Sequence, residues 1–433
     1  MSTHNVPYRQ FTLDNGLHVM LQSTPTKTIS GRLRVNFGAL NELSGEEGLA
    51  HFLEHTLMTG GSANYSPEDT DRIRGTFGSY NAMTGLDRTL FPVDMLSEDL
   101  PLYLKFISDI TFNPRLDATR FEEERQRVLV ETSDAKSNPG FKDVQTYKKS
   151  FFGEGSPQTY FIPGDEDVIR SVTTEYMRSF QARGYNAANM DLILVGNLPD
   201  NIEELVHQNF GDKATGKSTK FKFSKNPDLR GKTLFHTHAP ELYNKDEPSE
   251  SNAQLNIGIV APDETATDSY VVGMLTQILG GDSNSRLFKI VSQRMGLAYN
   301  VGSQYGGQNN SGVIYVGGSI KSIRADEAID AIFEQMRIMQ ERPVSNSELD
   351  RLKRNSRYGI AKTFETNGGH VHAIESMHDK GITVEKHLAK IDAITPADIQ
   401  RAAQTYLPKN REQGKYVLML RDPLKEKKNP TKL

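Results

Sequence analysis

Two histidines and a glutamate carry the clearest chemical signal in this 433-residue chain. They stand in Gly48-Leu-Ala-His51-Phe-Leu-Glu54-His55-Thr-Leu-Met58. The segment reads as a short amphipathic helix. At 100° per residue His51 and His55 share a face, with Glu54 beside them. Two imidazoles one turn apart reach one metal ion, and a neighbouring carboxylate can handle a proton on water activated there. The spacing H-x-x-E-H reverses the zinc helix H-E-x-x-H. A catalytic zinc site needs a third protein ligand and one open position. The chain has no cysteine, so that ligand is sought among carboxylates. A long charged helix predicted over 117–136 offers Glu122, Glu123, Glu124, Glu131 and Asp134. Glu124 and Glu131 lie two turns apart on one face, whereas Glu122 points nearly opposite to Glu131. Helix geometry allows a ligand at Glu131 with Glu124 behind it, and carboxylates so placed orient ligating histidines and fix their tautomer.

The elements that must position these groups follow from periodicity. Tyr8 to Gln22 reads as a hairpin about the turn Asp14-Asn15-Gly16, and Gly31 to Phe37 as a third strand. Ser66-Pro67-Glu68-Asp69 opens a helix that stops near Gly75: Ser caps, Pro fits the first turn, and the acids suit the positive end. Asp99 to Phe112 and Val168 to Gly184 read as helices, and Met190 to Gly196 as a buried strand. Composition turns Lys-, Ser- and Gly-rich between about 211 and 234, the best linker candidate. Beyond it the first half repeats weakly. Ala253 to Ala261 matches the Gly31 strand, and Tyr270 to Leu279 takes the place of the histidine helix without His or Glu. Ser285 to Arg294 follows as a helix, Gly296-Leu-Ala-Tyr299-Asn300-Val301 echoes Gly78-Ser-Tyr80-Asn81-Ala82, and Ser345 to Phe364 is a second long helix. The expectation is an α+β fold used twice, each copy a mainly antiparallel sheet covered by helices. The expected domains are 1–215 (catalytic, metal-binding), a linker at 216–234, and 235–433 (homologous, without metal).

These motifs together resemble the pitrilysin-type zinc peptidases, the inverzincins. The matching text is His51-Phe-Leu-Glu54-His55 within Gly-Leu-Ala-His-Phe-Leu-Glu-His, Tyr80-Asn81-Ala82 with Thr84, Glu124-x6-Glu131, Ser285-Arg-Leu-Phe and Gly296-Leu-Ala-Tyr299. The likeness covers nearly the whole chain, and its length fits the short subfamily that includes mitochondrial processing peptidase and its bacterial and archaeal relatives. It implies one Zn2+ per chain on His51, His55 and Glu131, with Glu54 as general base toward zinc-bound water and Glu124 supporting the site. It implies a substrate-pairing strand edge at Asn81 and Ala82, and Tyr299 as part of an Arg/Tyr grip. Ser292 stands where the arginine of that pair, seven residues before Tyr299, is expected; Arg286 and Arg294 are nearby but out of register. The resemblance thus implies a zinc metalloendopeptidase acting on peptides or leader segments in a closed chamber. That chamber is a homodimer, or a heterodimer whose homologous subunit supplies the Arg/Tyr pair. The rival reading is a non-catalytic partner of a peptidase or a core subunit of a respiratory complex.

Composition narrows the partners. With 51 Lys and Arg against 55 Asp and Glu, the net charge of −4 argues against a global grip on nucleic acid. No apolar run approaches a membrane span, and no basic, apolar leader opens the chain; the expectation is a cytoplasmic protein. His236-Thr-His238 reads as surface histidines and His370-Val-His372, with His378, as structural. The basic tail from Lys425 to Lys432 reads as a solvated end.

Overall fold

The alternating N-terminal segment folds as the hairpin its turn predicts: β1 (Arg9–Thr12) pairs antiparallel with β2 (His18–Ser23), Arg9 opposite Leu21. The structure, a computed structural model, describes residues 8–219, 231–308 and 311–424. With β3 (Thr28–Val35), β4 (Ser79–Tyr80), β5 (Met83–Thr84), β6 (Thr89–Leu96) and β7 (Met190–Gly196), the hairpin forms a seven-stranded sheet. Its order is β1-β2-β7-β3-β6-β4, with β5 also on β6. Only the β2–β7 pairing is parallel. A second sheet contains β8 (Lys232–His238), β9 (Asn252–Ala261), β10 (Ala298–Gln308), β11 (Ser311–Lys321) and β12 (Tyr416–Asp422), ordered β10-β11-β9-β12-β8. There β12 and β8 run parallel and the other pairs antiparallel. The architecture is the α+β fold in two similar, mainly antiparallel halves that the sequence implies.

Helices cover one face of the first sheet: α1 (Leu49–Thr59), α2 (Pro67–Arg74), α3 (Leu100–Phe112) and α4 (Ala118–Ser137). The cap on α2 is the predicted one. Ser66 Oγ accepts the Asp69 N–H at 3.1 Å, and the Asp69 carboxylate accepts the Ser66 N–H. Leu33, Phe52, Phe91, Phe106 and Leu192 share the buried core between these helices and the sheet.

The two compact units are not contiguous in sequence. One comprises Met1–Ala135, Tyr160–Phe221 and Ile360–Val384; the other comprises Lys136–Thr159, Lys222–Gly359 and Glu385–Leu433. The linear division expected from composition is therefore corrected, because each unit borrows a helix from the other half of the chain. In the first unit, helix Asn367–Lys380 sets Val371 and Ile374 against Met20, Ile193 and Val195 on the sheet's second face. In the second unit, α5 (Phe141–Phe152) sets Tyr147 and Phe151 against Val313, Val417 and Met419. The physical demand was visible in β7, which is buried at every residue. A strand apolar on both faces must be covered on both. Periodicity does not say which helix supplies the cover. The expected linker lies mostly outside the described residues, and its last positions, 232–234, belong to β8. The basic tail at 425–432 and the first seven residues also lie outside them.

Other departures are local. The helix expected over 168–184 is two, Glu166–Ser171 and Thr174–Gly184, because Val172 is extended and Thr173 Oγ1 caps the second by accepting the Tyr176 N–H. The segment expected as an ordinary helix to Arg294 is π-helical over Phe288–Arg294. No described helix is long and apolar enough to cross a membrane.

Candidate metal centre

The helix α1 is less amphipathic than its sequence suggests. Every residue from Leu49 to Thr59 is buried except His51 and His55, which alone reach the surface. Leu49, Phe52, Leu53 and Leu57 are essentially inaccessible, and burying each contributes about 1.5–3 kcal/mol. The packing thus fixes the rotation of the helix and leaves the two imidazoles as its open stripe. Its entry is fixed by Gly48, at φ +99°, where a Cβ would lie 2.7 Å from the Pro163 carbonyl oxygen. Gly48 has no side chain to cap the helix. The Glu42 carboxylate does so instead, accepting the Gly48 N–H (2.9 Å) and the Ala50 N–H (2.7 Å), and also the Tyr160 hydroxyl. Burial pushes the Glu42 carboxyl up to about 7 despite these donors.

Helix α4 brings the third group. Glu131 Oε2 lies 3.6 Å from His51 Nε2 and 3.5 Å from His55 Nε2. One ligand atom from each of the three residues falls within 4.8 Å of the others. Two turns earlier, Glu124 Oε2 lies 3.0 Å from His55 Nδ1, while Arg127 donates to Glu124 Oε1 at 3.0 Å. Burial opposes the Glu124 charge, but His55 and Arg127 outweigh it and hold its carboxyl below the usual range. An ionised carboxylate only accepts, so His55 Nδ1 carries a proton toward Glu124; burial opposes the charge on His55, but Glu124, Glu54 and Glu131 outweigh it and raise the imidazole above its ordinary value. Burial, reinforced by His55, pushes His51 down to about 4, so it is a neutral imidazole near pH 7. Its Nδ1 is buried without a hydrogen-bond partner.

Glu54, 8% exposed, faces the same cluster from within α1. Thr84 Oγ1, from β5, donates to Glu54 Oε2 at 2.8 Å. Burial raises the Glu54 carboxyl above its ordinary range, and the Thr84 bond and His55 only partly offset this. The Thr84 bond is the contact that reading by residue type misses; Thr84 stood in the motif text without a role. Glu42 had no sequence signal.

These five residues, His51, Glu54, His55, Glu124 and Glu131, are brought together. The other candidates are placed as follows. Asn81 and Ala82 join β4 to β5, Asn81 exposed and its N–H donating to the Pro92 carbonyl (3.2 Å), Ala82 buried. Tyr299 lies on β10 and is 85% exposed. Arg286 is engaged by Glu348 through two bonds of 3.0 and 3.1 Å, and Arg294 is exposed. His236 is half-buried with Nε2 3.5 Å from Asp422, rather than the surface histidine expected.

The donor set suits a divalent transition ion: two imidazoles, one carboxylate oxygen and no sulfur, with one imidazole oriented by a carboxylate behind it. The family model described as "Insulinase (Peptidase family M16)" matches residues 18–149, and that described as "Peptidase M16 inactive domain" matches 171–356. The uncharacterized zinc protease YmxG of Bacillus subtilis is 24% identical, over 83% of this chain and 85% of its own. An uncharacterized zinc protease of Streptomyces coelicolor is 22% identical, over 97% of this chain and 90% of its own. Among solved structures, a protease from Helicobacter pylori superposes with a TM-score of 0.84 at 20% identity, covering 96% of this chain and all of that one. The periplasmic protease PqqL of Escherichia coli gives 0.79 at 16% identity, with 98% of this chain matching 48% of PqqL. The match of the first model to the histidine half and of the inactive-domain model to the half without it parallels the distribution of chemistry along this sequence. The chain belongs to the pitrilysin-type peptidases of family M16.

Proposed function

We propose that this protein is a metalloendopeptidase that holds one zinc ion on His51, His55 and Glu131 and uses Glu54 as its general base. The observation that carries the reading is the convergence of those three ligand atoms within 4.8 Å beside the buried Glu54 carboxyl. When bound, a divalent cation supplies a Lewis acid that polarises a carbonyl and makes water acidic. The residues do the rest. Glu124 fixes the His55 tautomer. Thr84 engages one Glu54 oxygen and so restricts the direction of the carboxylate. Glu54 takes a proton from the attacking water and returns it to the leaving amine, a task helped by a carboxyl poised above the ordinary range. The β4–β5 edge, with exposed Asn81, would pair with an extended peptide backbone, so main-chain bonds bind and side-chain pockets select.

The working form is proposed to be a closed dimeric chamber. With Ser292 in the arginine position and Arg286 engaged by Glu348, Tyr299 has no in-register arginine in its own chain. This favours a homologous partner subunit that carries the complete Arg/Tyr pair.

The test compares zinc content and cleavage of a quenched peptide library for wild type and Glu54→Gln, each alone and with co-purifying homologues. Glu54→Gln should retain zinc and lose about 10²–10⁴-fold in turnover. Full activity in that variant, or wild type that binds no zinc, would overturn the proposal. Zinc-loaded wild type inert alone and active with a partner would establish the heterodimer. Inertness in every combination would favour the non-catalytic reading.

A further inference from the structure

A second cluster of ligand type lies on the opposite face of the same sheet, under the borrowed helix. Its residues are His18, Asp191 and His378, whose ligand atoms also lie within 4.8 Å of one another. Strand register creates it. His18 on β2 stands directly across from Asp191 on β7, and Asp191 directly across from Arg34 on β3. Residues paired across neighbouring strands share a face. Helix Asn367–Lys380 lowers His378 onto that row, its ring stacked on His18 at 4.7 Å between centroids.

The Asp191 carboxylate is divided between two tasks. Its Oδ2 accepts from Arg34 Nε (2.9 Å) and Asn36 Nδ2 (3.0 Å). Its Oδ1 faces His18 Nδ1 at 3.4 Å, and that nitrogen is buried and makes no hydrogen bond. One oxygen is thus anchored while the other faces His18, the arrangement that outer partners impose on a ligating carboxylate. The neighbouring guanidiniums are already paired: Arg32 with Glu375, Arg34 with Asp191 and Asp379, and Arg88 with Asp87 and Asp379.

We propose that His18, Asp191 and His378 form a second metal site, which takes a divalent transition ion and ties helix Asn367–Lys380 to the first sheet. Two imidazole ligands select Zn2+ or Co2+ over Mg2+ or Ca2+. The ion would be a staple between chain segments far apart in sequence, with no part in peptide cleavage.

The test uses full-length protein stripped by chelation and titrated with Co2+, whose visible absorption reports ligation. Wild type should take up two equivalents and a His51→Ala/His55→Ala variant one. Adding His378→Gln to that variant should abolish the remainder, and adding His18→Gln instead should do the same. Circular dichroism identifies any variant that has unfolded, and the two independent substitutions keep the result interpretable. Co2+ should raise the melting temperature of the His51→Ala/His55→Ala variant and leave the His378→Gln derivative unmoved. No Co2+ in the His51→Ala/His55→Ala variant, or Co2+ that survives both added substitutions, would overturn the site. Failure of the first site to hold metal is distinguishable, because it would leave wild type and the His51→Ala/His55→Ala variant equal at one equivalent, and failure of Glu54 as base is read by cleavage, which this titration does not use.

Discussion

At the scale of single residues, the centre owes its arrangement to which atoms are already committed. His55 spends Nδ1 on Glu124, and Glu54 receives Thr84 at Oε2. Neither bond creates a ligand or a base; each removes a rotamer that would point it elsewhere. Thr84 is the sharper test, because its hydroxyl touches none of the three proposed ligands. Thr84→Val keeps the shape and deletes the donor. It should lower kcat roughly tenfold, about 1.4 kcal/mol, with zinc content unchanged. Loss of zinc together with activity would show Thr84 to be structural instead. The histidine spacing and the Glu124–Glu131 separation were legible from sequence, since both follow from helix period alone. The Thr84 bond was not, since it spans a helix and a strand thirty residues apart.

At the scale of elements, α1 is set by a carboxylate outside it. Glu42 satisfies two amides at its N-terminus where Gly48 cannot. Glu42→Ala leaves those N–H groups unpaired and should cost about 1–3 kcal/mol of stability, measured by urea unfolding. In the second unit, helix Asn346–Thr363 is instead capped from within its first turn: Glu348 accepts from Ser345 N–H and from Arg286. Burial opposes its charge, yet the Arg286 and Ser345 bonds outweigh it and bring the carboxyl down to about 2. A carboxyl lowered in the folded state stabilises fully above its unfolded value, about 4.5. That contribution fades as pH falls toward about 2. Melting temperatures of wild type and Glu348→Gln should therefore differ most above pH ~5 and converge below it. A gap that widens on acidification would contradict the assignment.

At the scale of the whole chain, each unit is completed by a helix encoded in the other half, and in the first unit the joint is electrostatic as well as apolar. Arg34, 1% exposed, bonds Asp191 on β7 and Asp379 on helix Asn367–Lys380 (2.8 Å). Arg88 reaches Asp379 from the other side at 3.0 Å. Arg34→Met keeps the aliphatic bulk and leaves carboxylates buried without their guanidinium. It should destabilise by about 3–5 kcal/mol in urea unfolding, well beyond the effect of a surface charge deletion. A cost below ~1 kcal/mol would mean that the apolar contacts of Val371 and Ile374 hold the helix by themselves.

The sequence by itself determined the histidine helix, the carboxylates of the long charged helix, the strands, the capped helices and the twofold repeat. All of these are local periodicities or fixed spacings, and a chain segment carries them wherever it packs. Only the tertiary structure decided that α1 is buried on every side but the two histidines, that Thr84 holds Glu54, and that the halves exchange helices. It alone set His18 opposite Asp191 beneath His378. An apolar stripe states that a face must be buried, and a polar side chain that it must be partnered. Neither names the partner, and at separations of tens to hundreds of residues that choice belongs to strand register and packing.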